Sequence, residues 1–281
     1  MLKRVAIGLV CLVAACVLLL NSCAIAPYTQ GDVGALVPDA RTAEIAIDSR
    51  MLFTVSAGDP QNPPVVFIHG TPGGWDAYAS YLNAPVLREQ FHLISLDRPG
   101  FGRSDRGTLE VSMAQQARLI ARAIPPGQPA ILVGHSLGGP IAVQLAADFP
   151  ELVRGLVLVA GSFDPVLEEP RWYNAFADSR LVRWAVPDDL RYANDEVMGL
   201  AEELRRLEPR WTELAQRGMP MALIQGEKDR LVYPANIDFA EARVPEAHRT
   251  TTRVKDAGHF ILWEQPDLII DAIADIWARG E

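Results

Sequence analysis

The hydrophobic pattern divides the chain into two unlike parts. Residues 5–20 form one uninterrupted apolar run behind Lys3 and Arg4. From residue 44 onward, short aliphatic runs recur between longer stretches of mixed polarity. The runs at 44–47, 51–56, 65–68, 91–96, 130–133, 152–160, 221–224 and 250–254 have the length and composition of strands. Helical periodicity fills the intervals near 76–82, 140–147 and 267–277, the last with Pro266 at its start. Another helix is expected from Ser112, its N-cap, to about residue 124, where Pro125-Pro126-Gly127 stops it. Apolar strands alternating with amphipathic helices predict an α/β architecture, a mainly parallel central sheet covered on both faces.

One block breaks the alternation. Residues 162–218 have several helical stretches and no convincing strand, and hold Trp172, Trp184 and Trp211, half of the six tryptophans. This block is expected to be a helical cap inserted into a core of residues 44–161 and 219–281. In that place it would roof the strand ends where open α/β sheets bind ligands. Its aromatics, with Tyr173 and Phe176, either form an apolar pocket for substrate or pack the cap onto the core.

The N-terminal run ends in Leu20-Asn21-Ser22-Cys23. This stretch resembles a bacterial lipoprotein signal, which implies removal of residues 1–22 and lipidation of the Cys23 thiol. The other reading is an uncleaved anchor helix, although 16 apolar residues fall short of the about 20 that a span needs. Residues 23–43, with Pro27, Gly31, Gly34 and Pro38, read as a tether. The expected location is the bacterial cell envelope outside the cytoplasm, with the lipid bilayer as partner through the N-terminal anchor.

Composition narrows the chemistry. Cys11, Cys16 and Cys23 are the only cysteines, so the segment after Cys23 has neither a disulfide framework nor a thiolate metal site. Without Lys3 and Arg4, that segment holds 24 basic against 35 acidic residues, a net charge of −11. A surface so acidic gives no support for nucleic-acid binding and little for attraction to anionic lipid.

Three motifs carry candidate chemistry. Gly134-His135-Ser136-Leu137-Gly138-Gly139 follows the strand at 130–133 and precedes a helix, the context of a Gly-x-Ser-x-Gly nucleophile elbow. His69-Gly70-Thr71-Pro72-Gly73-Gly74 follows the strand at 65–68, and Asp256-Ala257-Gly258-His259-Phe260 lies near the C-terminus. A serine hydroxyl needs a base to take its proton. Among His69, His92, His135, His248 and His259, the last is the expected base. His69 is expected to bond its own loop, and His135 to point away from the site.

Together the three motifs closely resemble the α/β-hydrolase fold family over residues 44–278. The resemblance implies Ser136 as nucleophile, His259 as base and Asp229 as acid, in the chain order this fold uses. Asp164 occupies an alternative acid position that some relatives use. Backbone N–H groups of Leu137 and Thr71 would hold the oxyanion. No Rossmann or P-loop glycine pattern and no metal-ligand cluster is present in the sequence, so no cofactor and no metal is expected. A serine at the elbow disfavours a haloalkane dehalogenase, in which that residue is aspartate.

Hydrolysis of a small carboxylic ester is the leading expectation. An aminopeptidase of the proline iminopeptidase type is the alternative, with Glu168, Glu169, Glu202 or Glu203 to hold a free amine. A non-catalytic envelope-binding module is a third reading, because one fold serves many functions.

Overall fold

A computed structural model of the chain describes residues 30–279 other than Arg106 and Leu181. The eight expected strands all form. They are β1 (Arg41–Ile47), β2 (Arg50–Ala57), β3 (Pro64–Ile68), β4 (His92–Leu96), β5 (Ala130–His135), β6 (Val153–Val159), β7 (Met221–Gly226) and β8 (Arg249–Val254). They build one sheet in the order β1-β2-β4-β3-β5-β6-β7-β8. β1 pairs with β2, and β2 with β4, antiparallel; the other neighbours are parallel.

Alternation of side chains across the pleat builds two cores from the same strands. Val66, Ile68, Leu132, Leu156, Leu158 and Leu223 face one apolar layer. Val65, Phe67, Val133, Val157, Val159 and Ile224 face the other. This is why the middle strands read as continuous apolar runs rather than alternating ones.

Helices α1 (Gln30–Leu36), α2 (Ala79–Leu82) and α3 (Pro85–Gln90) come before β4. The stretch expected as a helix near 76–82 is a 3₁₀ turn, Trp75–Tyr78, followed by α2. After β4 come α4 (Met113–Ile120) and α5 (Gly138–Asp148). Ser112 caps α4 by accepting a hydrogen bond from the Gln115 N–H at 3.4 Å. Between β6 and β7 lie α6 (Trp172–Asp178) and the 29-residue α7 (Asp188–Gln216), with no strand among the described residues. On α7, Leu200, Leu204, Leu207, Trp211 and Leu214 form a helical stripe buried against the first core layer. The C-terminal part carries α8 (Ala235–Glu241), α9 (Ile261–Glu264) and α10 (Pro266–Arg279).

The N-terminal boundary differs from expectation. The tether expected over 23–43 is already folded from residue 30, and the sheet begins at Arg41. Val33 and Val37 are buried in the second core layer beside Tyr81 and Leu82. The Asn83 side-chain amide donates to the Leu36 carbonyl at 2.7 Å. Two apolar anchors four residues apart suffice to dock one helical turn against a core that already exists. The apolar run at 5–20 and Cys23 lie outside the described residues. Among the described ones, no helix is long and apolar enough to cross a membrane.

Candidate active site

The parallel strands β3, β5, β6 and β7 all end on one edge of the sheet, so the loops that follow them converge there. Ser136 follows β5 directly and sits at φ 54°, in the left-handed region. A non-glycine residue there is strained, and the turn holds it by hydrogen bonds on both sides. The Ser136 N–H donates to the Val159 carbonyl at 3.0 Å, and its own carbonyl accepts from Gly139 N–H at 2.9 Å. Gly138 makes the turn possible, because a Cβ there would stand 2.2 Å from the Ile68 carbonyl oxygen. α5 begins at Gly138 and directs the positive end of its dipole toward the turn.

His259 and Asp229 meet across two neighbouring loops. Asp229 follows β7, and His259 follows β8 through the turn at 255–258. The two turns interlock: Lys228 N–H donates to the Ala257 carbonyl at 2.9 Å. Gly226 is needed for this approach, since a Cβ there would lie 2.5 Å from the carbonyl oxygens of Ala257 and Gly258. His259 Nδ1 then lies 2.7 Å from Asp229 Oδ2, with both side chains buried. Asp229 Oδ1 accepts from the N–H groups of Leu231 (2.8 Å) and Val232 (2.9 Å), and Oδ2 from the Gln225 amide at 3.2 Å. The carboxylate is fixed before the imidazole reaches it. The Asp164 carboxylate instead accepts from the Val166 N–H at 2.8 Å.

Two further histidines, His69 and His135, are structural by their partners. His69 Nδ1 donates to the Gly70 carbonyl (2.7 Å), and its Nε2 accepts from Arg98 N–H (2.9 Å). These partners assign the neutral tautomer. Burial, reinforced by the Arg98 charge, holds its pKa well below the usual range. His135 has a role that was not legible in the sequence. Its Nε2 donates to the His259 carbonyl at 3.0 Å, with the two rings 4.8 Å apart. The elbow thus grips the backbone of the residue that follows β8. Burial, with the His259 ring beside it, pushes the His135 imidazole down to about 3.

A buried guanidinium ties the site to the cap. Arg98 is fully buried, as is Glu196 on α7. Arg98 Nη1 donates to Glu196 Oε1 at 2.6 Å and Nη2 to Oε2 at 3.0 Å, a bidentate pair. Nη1 also reaches Gln116 Oε1 at 2.8 Å, and Nη2 the Gly70 carbonyl at 3.0 Å. The Gly70 carbonyl therefore accepts from both His69 and Arg98. Because a trans peptide is planar, fixing that carbonyl fixes the opposite direction of the Thr71 N–H. Neither Arg98 nor Glu196 stood out in the sequence.

Thr71, Ser136, Leu137 and His259 line one cavity of about 200 Å³, closed on the cap side by Leu167, Tyr173 and Leu200. The Thr71 hydroxyl is buried and has no hydrogen-bond partner. Of the cap aromatics, Trp211 packs into the core against Phe163, with ring centroids 5.1 Å apart, and only Tyr173 lines the cavity. Trp172, Phe176 and Trp184 are exposed. The cap acids are already paired. Glu168, whose pKa burial raises, accepts from the Asn236 amide at 2.9 Å, and Glu169 pairs with Arg205. Glu202 and Glu203 pair with Arg206.

A strained serine turn at the C-terminal edge of a parallel sheet, with a carboxylate–imidazole pair on the neighbouring loops, is the layout of a hydrolase. Residues 65–272 match the Alpha/beta hydrolase family, and the chain belongs to it. It is 30% identical over 233 residues to the pimeloyl-[acyl-carrier protein] methyl ester esterase of Stenotrophomonas maltophilia, covering 71% of this chain and 86% of that one. It is 31% identical over 230 residues to the dihydrolipoyllysine-residue acetyltransferase component of the acetoin cleaving system of Cupriavidus necator. That match covers 72% of this chain but only 60% of the longer relative. The haloalkane dehalogenase DbeA of Bradyrhizobium elkani superposes with a TM-score of 0.65 at 21% identity, over 86% of this chain and all of that one. At that identity the likeness is one of fold alone.

Two predictions follow from the buried groups. Glu196→Ala leaves the Arg98 charge uncompensated, and should lower the unfolding free energy by about 3–5 kcal/mol in urea titration. A loss within the range of ordinary surface substitutions would show that the pair does not hold the cap. The second concerns pH. His135 titrates near 6.5 when unfolded and about 3 when folded, so above about 6.5 both states are neutral and stability is complete. As pH falls below 6.5, the unfolded chain takes up the proton first. Stability then falls by up to about 1.4 kcal/mol per pH unit from this site, until about pH 3. His135→Gln, which keeps a donor but cannot titrate, should lose less stability than wild type between pH 7 and 5. Equal losses would contradict the assignment.

Proposed function

We propose that this chain hydrolyses a small carboxylic ester through a covalent acyl-enzyme on Ser136. The observation that carries the reading is the 2.7 Å pairing of His259 Nδ1 with Asp229 Oδ2 at a cavity that Ser136 also lines. With Nδ1–H donating to Asp229, the lone pair of the neutral imidazole lies on Nε2. Ser136 Oγ attacks the carbonyl carbon while Nε2 takes its proton. The tetrahedral oxyanion is held by the N–H groups of Leu137 and Thr71, each such donor worth about 3 kcal/mol of barrier. The imidazolium, stabilised by Asp229, gives its proton to the leaving alkoxide as the ester C–O bond breaks. Water, deprotonated by His259, then attacks the acyl carbon and releases the acid, restoring Ser136.

The ester reading is supported by the named esterase among the relatives. The aminopeptidase reading needs a carboxylate free to meet a cationic amine. Both Glu168 and Glu169 line the cavity; the ion pair of Glu169 with Arg205 weakens the reading, while Glu168 accepts from the neutral Asn236 amide. We propose further that the domain is held at a membrane of the cell envelope by lipid on Cys23.

Purified protein should label with a fluorophosphonate and cleave short-chain aryl esters, and Ser136→Ala should do neither. Asp229→Asn should lower kcat by about 10⁴-fold, through the wrong imidazole tautomer. Activity confined to prolyl-arylamides would replace the ester reading, and labelling of the Ser136→Ala variant would remove the acyl-enzyme. In cells fed radioactive palmitate, wild type should incorporate label and Cys23→Ala should not. Equal labelling of the two would sink the anchor.

A further inference from the structure

Exposed apolar surface is unevenly spread over this domain. Thirteen large apolar side chains are exposed among the described residues. Nine lie in three segments, 166–184, 231–233 and 260–263. Each segment adjoins or carries residues that line the cavity, including Leu167, Tyr173, Val232 and His259. Ring contacts hold side chains together within two of these segments. Trp172 stacks edge-on against Tyr173 at 5.9 Å, and Phe260 lies 5.9 Å from His259 and 5.8 Å from Trp263. Arg171 of the cap covers the Tyr233 ring of the core at 4.8 Å. Trp172 and Trp184 are 79% and 81% exposed, a costly placement in water for the largest apolar side chains.

The N-terminal helix sits beside this rim. Tyr81, which packs in one core layer with Val33 and Val37, donates its hydroxyl to the Leu262 carbonyl at 2.5 Å. The Trp263 indole N–H donates to the Ala77 carbonyl at 3.0 Å. One short stretch, residues 77–83, thus touches both the helix at which the described chain begins and the α9 turn that carries Trp263. Seven residues from Cys23 to Gln30 can span at most roughly 25 Å. A domain of this size is about 45 Å across. A tether so short cannot let the far side of the domain reach the surface on which it is anchored.

We propose that the aromatic rim around the cavity mouth docks on the lipid surface to which Cys23 ties the chain. The inference rests on the anchor reading above and adds to it a second, non-covalent contact. Tryptophan and tyrosine favour the level of the lipid headgroups, where an apolar ring and a polar edge are both accommodated. The net charge of −11 after Cys23 gives anionic headgroups no part in the attraction. The preferred surface is therefore zwitterionic, and docking turns the cavity mouth toward the bilayer rather than toward bulk water.

Full-length lipidated protein reconstituted into phosphatidylcholine vesicles tests this directly. Three of the six tryptophans, Trp172, Trp184 and Trp263, are exposed, whereas Trp75 and Trp211 are buried. Phosphatidylcholine brominated on its acyl chains should quench up to about half of the emission, the share of the exposed indoles at the interface. The double variant Trp172→Phe, Trp263→Phe keeps the apolar rim but should lose most of that quenching. Flotation on a density gradient is run on the same samples. Protein that floats but is not quenched overturns the docking and leaves the anchor. Protein that does not float overturns both. Unquenched protein that sediments as a dimer shows that a second copy covers the rim, and equally overturns lipid docking.

Discussion

The buried Arg98–Glu196 pair is the constraint on which the arrangement of this molecule depends. A guanidinium removed from water costs several kcal/mol unless its donors are met. Here the Nη1 and Nη2 donors are met from three directions, the Glu196 carboxylate on the cap, the Gln116 amide on α4, and the Gly70 carbonyl on the loop after β3, while Nε alone has no hydrogen-bond partner. Cap, core and serine-facing loop are thereby made interdependent. Moving α7 outward would strand a charge in an apolar interior, so the cap rests at one distance from the sheet. The same guanidinium that anchors the cap also aims the Gly70–Thr71 peptide, through its Nη2 bond to the Gly70 carbonyl. The loop proposed to hold the oxyanion is set by a residue 28 positions later in the chain.

Histidine chemistry is divided by burial. His69 and His135 are enclosed, and desolvation favours their neutral forms. A neutral imidazole can donate with one nitrogen and accept with the other, and His69 does both between Gly70 and Arg98. His135 reaches across to the His259 backbone and leaves the His259 side chain to Asp229. Two histidines therefore position loops by hydrogen bonds without adding charge beside the third, which faces the cavity.

The sheet was largely legible in the sequence because its central strands are buried on both faces and so announce themselves as aliphatic runs. The serine turn was legible because its glycines are required by close backbone contacts. Asp229 was favoured over Asp164 by its place after the strand at 221–224, since both acids lie between Ser136 and His259 in the chain. Other features were hidden for physical reasons. α1 and the residue after it are anchored by Val33 and Val37 and gain their order from the core they cover, so their local pattern resembled a tether. Glu196 looked like one acid among many on a polar helix. It lies in line with Leu200, Leu204 and Leu207, and a carboxylate on a buried stripe was the signal that could have found it. The cap aromatics misled in the opposite way. Their composition suggested either pocket or packing, yet Trp172, Phe176 and Trp184 neither line the cavity nor are buried in the core.

That exposure bears on how the acidic domain meets its surroundings. Net charge repels it from anionic surfaces, while its apolar rim is concentrated at the cavity mouth. The two tendencies do not cancel, because they act at different ranges. Charge acts over about a Debye length of 8 Å in physiological salt. Burial of apolar surface acts only at contact, at about 25 cal/mol per Å². A chain free in solution would be turned away before the contact term could act. A lipid anchor on Cys23, as proposed above, would confine the domain within roughly 25 Å of the surface, so that it meets the surface repeatedly instead of diffusing away. In the proposed arrangement the anchor and the rim would have complementary roles: one would bring the domain to the lipid, and the other would determine which side of it faces the lipid.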